Sequence, residues 1–102
     1  MLSINIPVYN EDINGLVLQL SEQAKKLNRD YEIRVYDDYS ETEIRVKNRK
    51  IQTLPNVVYR QMEQNMGRAA IRNKMGFDSK FDYLLFIDAD SKLVSENYLS
   101  FY

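Results

Sequence analysis

LLFIDADSKL, Leu84 to Leu93, decides how the chain folds. With Tyr83 ahead of it, Leu84 to Ile87 is an apolar run that ends abruptly in Asp88-Ala89-Asp90. A short apolar run without alternation fits a strand buried on both faces, as in a parallel sheet covered by helices. In an extended segment residues i and i+2 point the same way, so Asp88 and Asp90 present two carboxylates to one side. Two hard oxygen ligands in that position suit a divalent ion or a sugar hydroxyl. A lone Asp-x-Asp also serves simply to end a strand in water, so its meaning rests on what surrounds it.

Upstream, three more segments read as strands. Ser3 to Pro7 alternates with Ile4 and Ile6 on one face, Tyr31 to Asp37 alternates with Ile33 and Val35 inward, and Asn56 to Arg60 is short and β-branched. Helical patterns separate them. From Glu11 to Leu27, the residues Ile13, Leu16, Val17, Leu20, Ala24 and Leu27 make one stripe. Ser40-Glu41-Thr42-Glu43 has the form of a capping box opening a second helix, with Pro55 beyond its end. Asn65 is placed to cap a third helix and Gly76 to close it. The order β-α-β-α-β-α-β predicts one α/β domain over residues 1–102. It is a Rossmann-like three-layer α/β/α arrangement with a mainly parallel sheet and right-handed crossovers.

Ligands of such sheets bind beyond the carboxyl ends of the strands. The sequence places Pro7-Val8-Tyr9-Asn10-Glu11, Asp37-Asp38-Tyr39-Ser40, Gln64-Asn65-Met66-Gly67-Arg68 and Asp88-Ala89-Asp90 at that edge. Each has a plain reading beside a functional one. Asp38 suits a base or ribose hydrogen bond, and equally suits a turn. Tyr9 suits stacking on a base, and equally packing over the strand end. Arg68 and the amides of a helix N-terminus suit a diphosphate, with Arg72 one turn further on the same side, or else form a solvated basic face. The basic run Arg45 to Lys50 reads as a solvated helix face. Among the later aromatic residues Phe81, Phe86 and Phe101 are the core candidates.

Composition narrows the chemistry. Fourteen Lys and Arg against fifteen Asp and Glu give a net charge of -1, which makes no case for nucleic acid or an acidic membrane. No apolar run approaches the roughly 20 residues that span a bilayer. The expected location is cytoplasmic, or peripheral at the inner membrane face. The sequence has no Cys and no His. That removes thiolate and imidazole chemistry and leaves oxygen as the metal donor, which favours Mn2+, Mg2+ or Ca2+.

The combination of IPVYNE (Ile6 to Glu11), YEIRVYDDYS (Tyr31 to Ser40), NMGRAAIRN (Asn65 to Asn73) and YLLFIDAD (Tyr83 to Asp90) resembles the nucleotide-binding half of a family 2 glycosyltransferase with a GT-A fold. The pieces stand in the family's order and cover nearly the whole chain. The resemblance implies that Pro7, Val8 and Tyr9 line a base pocket, with Glu11 near the ribose and Asp38 on the base, commonly uracil. It implies that Asn65 and Gly67 shape the loop that brings Arg72 near the base or diphosphate. Asp88 then sits near the ribose and metal, and Asp90 holds Mn2+ or Mg2+. The implied activity is sugar transfer from a nucleotide-diphosphate sugar, a UDP-sugar foremost, in glycan or polysaccharide synthesis. The acceptor is unknown.

There are departures. Tyr39 stands where the family often has a small residue, Ser91 where another Asp is frequent, and Ser95 near the place of a usual Pro. Family members carry a second half with the acceptor site and the catalytic base, whereas this sequence stops at Tyr102 after the start of a helix at Ser95-Glu96-Asn97-Tyr98. The chain therefore reads as a donor half of a longer domain, expected to self-associate through the surface near Tyr83 to Ile87. Two alternatives stand beside this reading. One is a nucleotide-binding module without turnover. The other is a phosphatase of the haloacid dehalogenase type, suggested by FIDADS (Phe86 to Ser91) but with only Lys92 following as a lysine.

Overall fold

The structure, a computed structural model, describes residues 2–27, 29–81 and 83–89. Asp90 and everything after it, including the helix expected at Ser95 and the core candidate Phe101, lie outside the described residues. Leu2–Val8 forms β1, the strand on which the others are laid. Tyr31–Asp37 (β2) pairs with one edge of β1 and Tyr83–Phe86 (β4) with the other. Val57–Gln61 (β3) pairs with β2. All three pairings are parallel, and the sheet order is β3-β2-β1-β4.

This order fixes the layers. The first two crossovers step in one direction across the sheet; the third returns past β2 and β1 in the other. Right-handed connections then put the first two helices on one face and the third on the opposite face. The core divides accordingly. Helix α1 (Asn14–Lys25) and the segment made of α2 (Thr42–Asn48) and a 3₁₀ turn (Arg49–Thr53) cover one face. There Val17, Leu20 and Ile51 pack on Ile4, Ile6, Ile33 and Val35. Helix α3 (Arg68–Asp78) covers the other with Ile71 and Met75 against Tyr36 and Met62. Burial of each such aliphatic side chain contributes about 1.5–3 kcal/mol.

Strand alternation has a second consequence. Ser3, Asn5, Glu32 and Arg34 occupy the positions between the apolar residues, so they lie on the face covered by α3 and must be paired there. Ser3 and Glu32 are direct neighbours in the parallel register, and the Ser3 hydroxyl donates to Glu32 Oε2 at 2.5 Å. The same oxygen accepts the Lys80 amide at 2.6 Å, and Ser3 Oγ accepts the Phe81 amide at 3.1 Å. Asn5 Nδ2 donates to Ser79 Oγ at 3.0 Å, and the buried Tyr36 hydroxyl to Asp78 Oδ2 at 2.7 Å. These bonds fasten the link between α3 and β4 to the two central strands, and so set where β4 and its following carboxylate stand.

Several local expectations are corrected. β4 is an edge strand among the described residues and is not buried on both faces: Tyr83 is 72% and Leu84 43% exposed. The capping box does not form. Ser40 Oγ accepts the Asn10 amide instead, and Glu41 precedes the helix without a side-chain cap. Gly67, not Asn65, precedes α3, because the Asn65 side chain donates to the Asp38 carbonyl. Gly76 does not close the helix, which runs past it to Asp78 with Gly76 packed against Phe86 and Leu84. Phe81 is half-buried under the Lys80 ammonium, and Phe86 packs at the margin of the second cluster.

Glu32 makes this network sensitive to acid. Burial pushes its carboxyl up, but the Ser3 hydroxyl, the Lys80 amide and Arg34 outweigh burial and hold it below the usual 4.5. A carboxyl depressed in the folded state stabilises the fold above its unfolded value, and that contribution is lost as pH falls through the folded value. Glu32→Gln should therefore cost about 1–3 kcal/mol in urea unfolding at neutral pH. The deficit should shrink as the pH is taken well below 4.5. A deficit independent of pH would contradict this assignment.

Candidate functional site

Each strand hands the chain to a loop at its carboxyl end, and side chains tie those loops together. After β1, Asn10 takes a left-handed conformation (φ 55°), which asparagine tolerates better than most residues. Its amide donates to Ser40 Oγ and its Oδ1 accepts the Glu41 amide, both at 2.8 Å. Further along, the fully buried Asn48 donates from Nδ2 to the Glu11 carbonyl at 2.7 Å. Its Oδ1 accepts the Ile13 amide at 3.0 Å. The loop from Tyr9 to Ile13 is thus held from α2, which leaves the Tyr9 ring 56% exposed.

After β2, Asp37 Oδ2 accepts the Ser40 amide at 2.8 Å, closing a tight turn. Tyr39 lies inside that turn at φ 64°, a left-handed conformation that costs a bulky side chain about 1–2 kcal/mol. The ring is turned outward, with the Arg45 guanidinium 5.2 Å from its centroid. That is how a tyrosine is accommodated where the family resemblance implies a small residue. Asp38 does more. Its amide donates to the Val8 carbonyl at 2.7 Å, and its carbonyl accepts Asn65 Nδ2 at 3.1 Å. The carboxylate takes the Met66 amide at 2.6 Å and the Gly67 amide at 3.0 Å. One buried carboxylate therefore shapes the loop that leads into α3. Gly67 adopts φ 88° and ψ 157°, a backbone conformation open essentially to glycine alone.

Beyond β4, the Ile87 amide donates to the Asn5 carbonyl at 3.0 Å. Asp88 comes next, and Arg68 Nη2 donates to its Oδ1 at 2.8 Å. The four loops enclose a cleft of about 490 Å³, within the range of pockets that take small ligands. Its walls include Pro7, Val8, Tyr9, Glu11, Asp38, Asn65, Gly67, Arg68 and Asp88, which the sequence singled out. They also include Ile71 and Ala89, which it did not. Arg72 is not in the wall; its guanidinium lies over the Phe86 ring, 4.8 Å from the centroid. Asn48 was also missed. It sits in a basic helical run with no periodicity to mark it, although a polar residue buried there had to have a partner.

Among the described residues, no three acidic side chains gather into a metal cage. The cleft wall carries three carboxylates, of which Asp38 is taken up by the Met66 and Gly67 amides, and Asp88 stands at the end of β4. Mn2+ and Mg2+ bind through one or two carboxylates, waters and substrate phosphates, so the residues present fit an ion that arrives with a diphosphate. Also among the described residues, no helix is long and apolar enough to cross a membrane.

The sequence model of glycosyl transferase family 2 matches residues 3–99. An uncharacterized glycosyltransferase of Haemophilus influenzae is 34% identical over 98 residues, covering 94% of this chain and 31% of that protein. In structure the chain is similar to mannosyltransferase PcManGT from Pyrobaculum calidifontis, solved in complex with GDP-Man and Mn2+. The TM-score is 0.75 at 18% identity, over 97% of this chain and 30% of that one. It is also similar to S. aureus TarS 1-349 in complex with UDP-GlcNAc. There the TM-score is 0.65 at 25% identity, over 87% of this chain and 26% of that one. The chain thus spans about a third of the length of its curated relative.

Removing the Asp38 carboxylate strands two backbone donors. Asp38→Ala should cost about 1–3 kcal/mol for each donor left unpaired by water. It should also speed hydrogen exchange at Met66 and Gly67 ahead of the β1 and β2 amides. Unchanged protection at those two residues would show that the loop holds itself.

Proposed function

The chain belongs to glycosyl transferase family 2, and from that membership we propose that its cleft binds a nucleotide-diphosphate sugar, a UDP-sugar in preference to a GDP-sugar, with Mn2+ or Mg2+. The observation that carries the proposal is the convergence of four carboxyl-end loops on one cleft that is walled by an exposed aromatic ring, a basic side chain and a carboxylate. The cleft lies where β1 is flanked by β2 and β4: the crossover out of β1 steps to β2 over one face of the sheet, and the crossover into β4 arrives over the other. Open α/β sheets bind ligands at such a reversal. The preference for uridine leans on the S. aureus protein solved with UDP-GlcNAc, the more similar in sequence of the two nucleotide-sugar complexes.

The residues divide by chemistry. Pro7, Val8 and Tyr9 supply an apolar wall and a ring for the base. Asp38 has lone pairs left beyond its two backbone donors and can accept an N–H from the base edge. Glu11 is exposed at the ribose end. Asn65 and Gly67 form the loop over the diphosphate, with Arg68 as its cationic partner. Asp88, with Asp90 two residues on, would hold the divalent ion, whose chemistry is to neutralise charge on the departing diphosphate. Donor binding is what this cleft accounts for, and no residue is assigned to the acceptor or to a general base.

Calorimetric titration tests the proposal, with UDP and GDP each run with and without Mn2+. Metal-dependent binding of UDP, tighter than that of GDP, is expected. Binding of neither nucleotide would overturn the donor-site reading, and tighter GDP binding would overturn the preference.

A further inference from the structure

The ion pair between Arg68 and Asp88 spans the cleft at a place where both partners are needed for something else. Arg68 opens α3, and Asp88 stands just past β4, so the bond joins two elements that wall the cleft. The side chains are 72% and 49% exposed, and exposed pairs of this kind contribute about 0–1 kcal/mol. The bond is not what holds α3 against the sheet; Ile71 and Met75 do that. Its consequence lies in occupancy. Asp88 Oδ1 is the oxygen that the guanidinium takes, so a divalent ion at this carboxylate meets a cation already seated on one of its two oxygens and must displace it to use both.

We propose that Arg68 is a counter-ion latch. It covers Asp88 while the cleft lacks a diphosphate, and releases it when phosphate oxygens draw the guanidinium away. This rests on the nucleotide-diphosphate reading of the cleft and adds an order to it. A guanidinium binds phosphate oxygens in a bidentate fork, and a carboxylate binds a divalent cation, so each partner leaves the pair for a better-matched one. The exchange keeps charge balanced: one ion pair becomes an arginine–phosphate pair and a carboxylate–metal contact. A metal arriving alone binds beside the guanidinium's charge or displaces it with nothing to receive it, and either is unfavourable. A nucleoside without phosphates reaches the base wall and leaves the latch closed. Metal and diphosphate therefore favour each other's binding beyond their direct contact, and reciprocally.

Titration of Mn2+ alone, followed by the electron paramagnetic resonance of the free ion, separates this from a passive surface pair. Arg68→Gln should tighten metal-only binding by about two- to fivefold, the range that the energy of an exposed ion pair allows. Arg68→Gln combined with Asp88→Asn should lose that gain. In the unaltered chain UDP should tighten Mn2+ binding and uridine should not, and Arg68→Gln should shrink the UDP effect. Metal-only affinity that is unchanged or weakened in Arg68→Gln would overturn the latch. So would a gain that survives Asp88→Asn. Normal UDP binding with no change in the metal-only arm overturns the latch and leaves the donor site standing. Absence of UDP binding to the unaltered chain overturns both.

Discussion

Everything at the cleft depends on β1 being paired in parallel on both sides. Val8 lies opposite Asp37 on one edge, and Asn5 opposite Phe86 on the other. Because all the strands run the same way, all four strand ends open onto one rim. Because the crossover out of β1 steps to β2 over one face and the crossover into β4 arrives over the other, that rim has a gap above β1. A slip of β1 by one residue would turn Ile4 and Ile6 out of their core and bring Ser3 and Asn5 into it, and a slip of β2 would exchange Ile33 and Val35 for Glu32 and Arg34. The register is therefore set by burial, and the cleft inherits its geometry from the core.

Side-chain bonds between the loops then make the rim stiff. Asn10 meets Ser40 and Glu41, Asn48 holds Glu11 and Ile13, and Asp38 holds Asn65, Met66 and Gly67. Each bond crosses from one crossover unit to the next, so the loops cannot relax independently. Ordering before ligand arrives lowers the entropic cost of binding. Below the rim, the Ser3–Glu32 pair and Asn5 fasten the turn before β4 and hold Asp88 at its height. Arg68 with Asp88 is a contact across the cleft, exposed on both sides and without such buried support, and it is the contact a ligand has reason to open.

The fold was readable because its signals are periodic. Strands of alternating Ile and Val, helices with one apolar stripe and an apolar run ending in Asp-Ala-Asp place all four strands within a residue or two. The walls of the cleft were readable as far as topology goes, since knowing the strand ends is enough to name Tyr9, Asp38, Gly67 and Asp88 as its lining. What escaped depends on who partners whom. The Ser40 hydroxyl could cap its own helix or take the Asn10 amide, and only the fold brings Asn10 within reach. Arg72 shares a helix with Arg68, yet the Phe86 ring captures it. Asn48 looks solvated in sequence and is buried because two loop groups need it.

The central claim is that the carboxyl rim of the sheet is where the nucleotide and metal bind. Paramagnetic broadening of backbone amide signals by Mn2+ in the presence of UDP tests it directly. The account predicts the strongest broadening at Arg68, Asp88 and Ala89, with Leu2 and Arg29 at the opposite end of the sheet affected least. Broadening centred instead on the smaller cavity of about 330 Å³ beside Leu2, Arg29 and Tyr83, or spread evenly over the surface, would contradict it.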